Sequence, residues 1–137
     1  SLHDALPISW REGAEAYLGI TVAGFPNFFM LYGPNTNAIT SIIYMLECQS
    51  RYIADCVRAL RDRKAAYMNV KADRQARFVA MLQRRIAPTV QAMSVCMTYY
   101  KNEFGRVTTN WPGYAFEYRW RTRGVRARDY DFVGRMP

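Results

Sequence analysis

The run Gly33-Pro34-Asn35-Thr36-Asn37, followed closely by Thr40 and Ser41, is the stretch whose residue types and spacing point most directly to binding chemistry. Glycine, proline and asparagine in succession make a tight polar loop. Thr40 or Ser41 is a residue of the kind that opens a helix. The first turn of a helix carries backbone N–H groups without intrahelical partners and the positive end of the dipole. A loop and helix start in this order suit an electron-rich ligand atom.

Other chemistries lack parts. The single histidine, His3, lies in the leader Ser1 to Ser9, so neither a Ser-His-Asp triad nor a histidine zinc site is available, and no paired carboxylates stand out. Cys48, Cys56 and Cys96 are odd in number and show no CxxC spacing, which argues against a disulfide framework and a metal site. They are expected to be small buried side chains in a reducing, cytoplasmic setting. Nineteen Lys and Arg against eleven acids leave a net charge of +8, an excess that draws anionic partners in general without choosing among them. The basic residues are spread over the helical stretches and the tail, and no compact patch is read from their order. Aromatic residues interleaved with arginine from Trp111 to Trp120 could stack on nucleic-acid bases. Core aromatics with arginines reaching to water are the commoner arrangement, and nucleic acid is not expected as a partner.

Half of the 137 residues are apolar or aromatic, enough for one domain with its own core. No apolar run approaches the roughly 18 residues of a membrane span. Trp10 to Thr21 is expected to be a loop leading into a short extended piece. Gly24 and Pro26 turn the chain into Asn27 to Tyr32, whose continuous apolar character predicts a strand covered on both faces. From Thr40, the spacing of Ile42, Ile43, Leu46, Ile53, Cys56, Val57 and Leu60 predicts a long helix with those residues inward. Ala65 to Val70 is a candidate short strand. Lys71 to Ile86 is a second helix with Phe78, Val79, Leu82 and Ile86 on one face, broken by Pro88. Val95 to Tyr100 and Val107 to Trp111 form a hairpin candidate around Lys101 to Arg106. Tyr114 to Arg123 suits a strand by its alternation and a short helix by Pro112 before it; the tail is expected to lie on a surface.

The run Gly24 to Asn37 (GFPNFFMLYGPNTN), with TSIIYMLECQ after it, resembles the C-terminal part of the flavin-dependent Baeyer–Villiger monooxygenases, most of all the aryl-ketone, 4-hydroxyacetophenone monooxygenase-like branch. LQRRIAPTV, Cys96 to Tyr100 with Gly105, Thr109 to Tyr114, Glu117-Tyr118-Arg119 and Asp129-Tyr130 continue the likeness in order from Trp10 to about Phe132. It implies an α/β fold, the C-terminal part of a flavoprotein with two dinucleotide domains, with few strands and two main helices here. Residues 1–9 match nothing and are expected to be foreign; 10–64 would end the FAD domain, and 65–137 would hold the second helix, hairpin and aromatic segment.

The resemblance implies that Gly33, Pro34, Asn35, Thr36, Asn37, Thr40 and Ser41 sit at the flavin of FAD, with Gly33 letting backbone approach the ring. Tyr99 would approach NADPH, although the family usually has Trp there. Asn35, Ala38, Ile39, Trp111, Pro112 and Tyr114 would edge a ketone pocket. After the GPN loop the chain is one residue shorter than the family's common Leu-Gly-His pattern. The GxGxxG loops for FAD and NADPH and the His- and Trp-containing fingerprint are absent. The chain is thus expected to be the last quarter of an enzyme that inserts an oxygen atom of O2 into ketones, inert without its FAD and NADPH domains, which would hold the catalytic residues. The alternatives are a related flavin N- or S-monooxygenase, or a stand-alone basic module binding nucleic acid or an acidic partner.

Overall fold

The computed structural model describes residues 10–38, 41–92 and 106–135, with residues 89–92 described by backbone alone. The elements are helix α1 (Ile42–Asp62), strand β1 (Tyr67–Val70), helix α2 (Ala72–Ala92), helix α3 (Ala115–Arg121), a 3-10 turn (Ala127–Asp129) and strand β2 (Tyr130–Val133). β1 and β2 pair antiparallel, Tyr67 opposite Val133 and Val70 opposite Tyr130. The α/β class, the two long helices and the strand near Ala65 to Val70 agree with the sequence reading.

The buried face of α1 differs from the expected one. Met45, Cys48, Gln49, Tyr52 and Cys56 are buried, whereas Ile42, Ile43 and Val57 are exposed. Two polar side chains on this face find partners from other elements: Gln49 Oε1 accepts from Tyr32 N at 2.8 Å, its Nε2 being buried without a hydrogen-bond partner among the described residues, and the Tyr52 and Tyr130 hydroxyls are 2.8 Å apart. Burial of a polar group is tolerated once it is hydrogen-bonded. At the C-terminus of α1, Lys64 takes the left-handed conformation (φ +52), Lys64 N donates to Arg61 O and Ala65 N to Leu60 O, the closure more often made by glycine.

α2 buries Phe78, Val79, Leu82 and Ile86 as expected, but it continues through Pro88 to Ala92. Proline removes one intrahelical N–H donor, here the one facing the Arg84 carbonyl, and does not by itself end a helix that is otherwise held. The stretch from Tyr114 resolves as helix α3, starting just after Pro112-Gly113.

Asn27 to Tyr32 is not a strand. Both end residues have positive φ (Asn27 +55, Tyr32 +54), Leu31 and Tyr32 are exposed, and pairing is limited to the bridge between Thr21 and Phe29. Left-handed residues at both ends bend the chain out of the extended conformation a ladder needs. Asn27 instead extends the β1 edge: its N–H donates to Met68 O, its Oδ1 accepts from Met68 N, and its Nδ2 donates to Ala66 O.

Two segments with weak sequence signals supply much of the core. Ala16, Leu18, Ile20 and Val22 are buried around a tight turn at Leu18-Gly19, closed by Tyr17 N to Thr21 O at 2.8 Å. The tail, expected on the surface, buries Asp129 and Tyr130. One apolar cluster joins Leu18 and Ile20 to Met45, Tyr52, Cys56, Met68, Leu82, Trp111, Tyr118 and Tyr130.

Candidate functional site

The GPN loop is seated by backbone packed on backbone. A Cβ on Gly33 would stand 2.2 Å from Gly19 O, and one on Gly19 would stand 2.1 Å from Thr36 Cγ2. Gly33 is therefore required by the turn at Gly19, whose backbone occupies the side from which a side chain would project. Thr36 Oγ1 donates to Gly33 O at 2.7 Å and closes the loop on itself.

The loop is then clamped to residues 107–111. Asn35, with φ +56, donates its N–H to Thr108 O at 2.9 Å and its amide Nδ2 to Val107 O at 2.9 Å and Asn110 O at 3.0 Å. Asn37 N donates to Thr109 O, Trp111 N donates back to Asn37 O at 3.0 Å, and Asn37 with Asn110 makes a parallel bridge. Asn35 and Thr36 are buried. Their side chains serve the loop, and its less buried residues are Pro34, Asn37 and Ala38, all half-buried. The hairpin expected to end at Trp111 has its first arm outside the described residues.

Ile39 and Thr40 also lie outside the described residues. Ser41 occupies the N-cap of α1 (φ −54, ψ 125) without a side-chain capping bond, and the first turn holds no acid. No side chain of α1's own first turn thus neutralises the positive end of the dipole there. Ile42 and Ile43, in that turn, are exposed, as are Leu31 and Tyr32 before the loop.

Of the expected pocket residues, Trp111 belongs to the core. It is buried, its Nε1 donates to Tyr114 O at 3.1 Å, and its ring meets Tyr118 edge-on at 5.2 Å and lies 6.4 Å from Phe78. Pro112 is half-buried, and Tyr114 is exposed and stacked on Phe116 at 5.4 Å. The structure brings Asn35, Asn37 and Trp111 together through the clamp. Tyr99 and Cys96 lie outside the described residues. Gly19, Gln49 and Asn110, which hold the loop, were not singled out from sequence. A glycine among the apolar residues of Tyr17 to Val22 was the available signal for the first; nothing local marks the other two.

Around this frame the ionisable groups are structural. Tyr118 OH donates to Leu18 O at 2.6 Å, Tyr17 OH donates to Asp129 Oδ2 at 2.8 Å, and Tyr130 OH lies between Tyr52 OH and Thr21 Oγ1. Burial pushes all four tyrosine hydroxyls well above their ordinary pKa, so they stay protonated. Burial likewise pushes the Cys56 thiol up to about 12 and raises that of Cys48. Such thiols are poor nucleophiles. Among the described residues no cluster of three or more His, Cys, Asp and Glu could hold a metal ion, and no helix is long and apolar enough to cross a membrane.

No family model matches the chain. It is 40% identical over 124 residues to a protein of Pseudomonas aeruginosa named Baeyer-Villiger monooxygenase, an alignment covering 89% of the chain and 24% of that protein. It is 36% identical over 130 residues to the FAD-binding monooxygenase ktnD of Aspergillus niger, covering 91% of the chain and 21% of the relative. Among solved structures, an oxidized steroid monooxygenase bound to NADP superposes with a TM-score of 0.79 at 25% identity, over 93% of the chain and 25% of that structure. The chain spans about a quarter of the length of the relatives it matches. In sequence and in fold alike, the chain is similar to one quarter of the Baeyer–Villiger and FAD-binding monooxygenases.

Proposed function

We propose that the chain is the part of an FAD- and NADPH-dependent monooxygenase that walls the flavin edge and one side of a ketone pocket, in an enzyme converting ketones and O2 to esters or lactones. The observation that carries this reading is the 40% identity to a protein named Baeyer-Villiger monooxygenase along 89% of the chain. The aryl-ketone branch is the proposed subclass. Residues 10–64 would complete the FAD domain and 65–137 the region beyond it. The setting would be cytoplasmic, and the catalytic residues would belong to a part of the enzyme that this chain does not contain.

The residues present fit a flat, electron-rich, largely apolar group. α1 starts without a side-chain cap or an acid, so its N–H groups and dipole favour negative charge at that point. Exposed Ile42 and Ile43 supply apolar surface beside it. Bound FAD, with NADPH and O2, would supply the redox chemistry. This chain's residues would position: the clamp between Asn35, Asn37 and residues 107–111 holds the loop backbone rigid, and preorganised donors stabilise developing charge without reorganising. Pro34, Asn37, Ala38 and Ser41 would face cofactor or substrate, with Gly33, Asn35, Thr36 and Trp111 supporting them from behind.

The test is turnover by the full-length protein with NADPH and O2, offered an aryl methyl ketone, a thioether and a primary amine. Ester formed from the ketone is the expected result. Sulfoxide or hydroxylamine with no ester would assign it instead to the related S- or N-oxygenating enzymes.

A further inference from the structure

Away from the GPN loop, a cavity of about 220 Å³ lies where α2, α3 and the segment before β2 meet. It is lined by five arginines, Arg74, Arg77, Arg121, Arg126 and Arg128, together with Tyr17, Phe78 and Trp120, and by one carboxylate, Asp129. None of residues 33–38 lines it. The acid is already committed: Asp129 accepts the Tyr17 hydroxyl at 2.8 Å and stands 3.7 Å from Arg74 Nε, which is buried and has no hydrogen-bond partner. Two neighbouring acids also meet these guanidiniums, Asp73 at ion-pair distance and Glu117 through two bonds of 3.4 Å from Arg121 Nε and Nη2. Asp73 lies 4.0 Å from Arg77 and 3.9 Å from Arg74, and Glu117, 3.4 Å from Arg121, is held by Arg85 through two shorter bonds. Arg126 lies 5.7 Å from the centre of the Trp120 ring.

Gathering five cations around one concave surface costs mutual repulsion, which an anion in the cavity would relieve. A carboxylate offers two oxygens in one plane, whereas the oxygens of a phosphate are disposed tetrahedrally and can be shared among several donors arriving from different directions. Arginines from two helices and a loop present that convergent arrangement. We infer that this cavity is a binding site for a phosphate-bearing small molecule, held by Arg74, Arg77, Arg121, Arg126 and Arg128, with Trp120 at its edge. The site is independent of the monooxygenase reading.

The test is titration of the intact protein with inorganic pyrophosphate at a fixed ionic strength of about 0.15 M, where non-specific attraction is screened. Emission of Trp120 reports locally, with Trp120→Phe as the blank. A saturable change is expected. Arg77→Gln/Arg128→Gln, two exposed positions, should move its midpoint at least about 10-fold to higher concentration, since each loses a charge-assisted bond. The charge-matched pair Arg51→Gln/Arg135→Gln, also at exposed positions, should leave it in place. Arg77→Lys, which keeps the charge and loses the fork, should weaken binding by less than the double variant. Absence of a saturable change, an unmoved midpoint in the cavity variant, or equal weakening by the charge-matched pair would each overturn the site.

Discussion

With its backbone at φ +56, Asn35 aims its amide at the carbonyls of Val107 and Asn110 and its N–H at Thr108 O, so one residue supplies three of the bonds that hold the GPN loop. Asn35→Ala removes both side-chain bonds, takes this donor from the part-buried Asn110 carbonyl while Val107 O keeps Gln83 Nε2, and places an unfavourable side chain in the left-handed region. The expected loss is about 2–4 kcal/mol in urea unfolding. Asn35→Gly restores the backbone freedom but not the bonds, and should recover about 1 kcal/mol of that loss. Equal stabilities for the two variants, or no loss in either, would show that the loop is held by something else. Gly33 belongs to the same frame, since its Cα faces the backbone of Gly19.

Between elements, α2 and α3 are tied by Arg85 and Glu117, whose two bonds of 2.6 and 2.9 Å form a fork on a carboxylate. The Arg85 guanidinium holds the Glu117 carboxyl below the ordinary carboxylate value, outweighing the opposing effect of partial burial. A carboxyl depressed in the folded state contributes stability that is complete above its unfolded pKa and is lost as pH falls through the folded one. Stability should therefore decline on acidification below the ordinary carboxylate range, and Glu117→Gln should flatten that part of the profile while lowering stability modestly at neutral pH. Melting temperatures of the two proteins from pH 7 to pH 3 check this. An unchanged acid limb would remove Glu117 from the account. α1 draws its inward face from a different source, because Gln49 and Tyr52 are fixed by Tyr32 and Tyr130 from other elements, and Ile42, Ile43 and Val57 are displaced outward.

At the scale of the whole molecule, Leu31, Tyr32, Ile42, Ile43, Tyr114, Phe116 and Trp120 are exposed in the chain by itself. Large apolar side chains gathered on a surface mark an interface. In the proposed enzyme, those on the loop and the first turn of α1 would be covered. The chain expressed alone is expected to enhance the emission of a hydrophobic dye, and Ile42→Ser/Ile43→Ser should reduce that enhancement by about half without lowering the melting temperature. Equal dye emission from the variant would place the sticky surface elsewhere.

The amphipathic period of α2, the short apolar strand at Met68 and the position of the loop ahead of a helix were legible in the chain because each rests on neighbours in sequence. The ordered motifs from Trp10 to Phe132 also pointed to the relatives later found along nearly the whole chain. The rest depended on partners far apart in sequence. A strand is stable only with a neighbour, so Asn27 to Tyr32, apolar but bounded by left-handed residues, could not be told from a strand by composition. The tail became β2 because Tyr67 to Val70 offered it an edge. Arg74 and Arg77 come to line one cavity with Arg121, Arg126 and Arg128 only once the chain has folded, which is why the order of the basic residues showed no patch and the folded surface does. Local periodicity thus determined the two long helices but left Tyr114 to Arg123 open between strand and helix; contacts across long separations decided that segment, which faces turn inward, what holds the loop and where the charge collects.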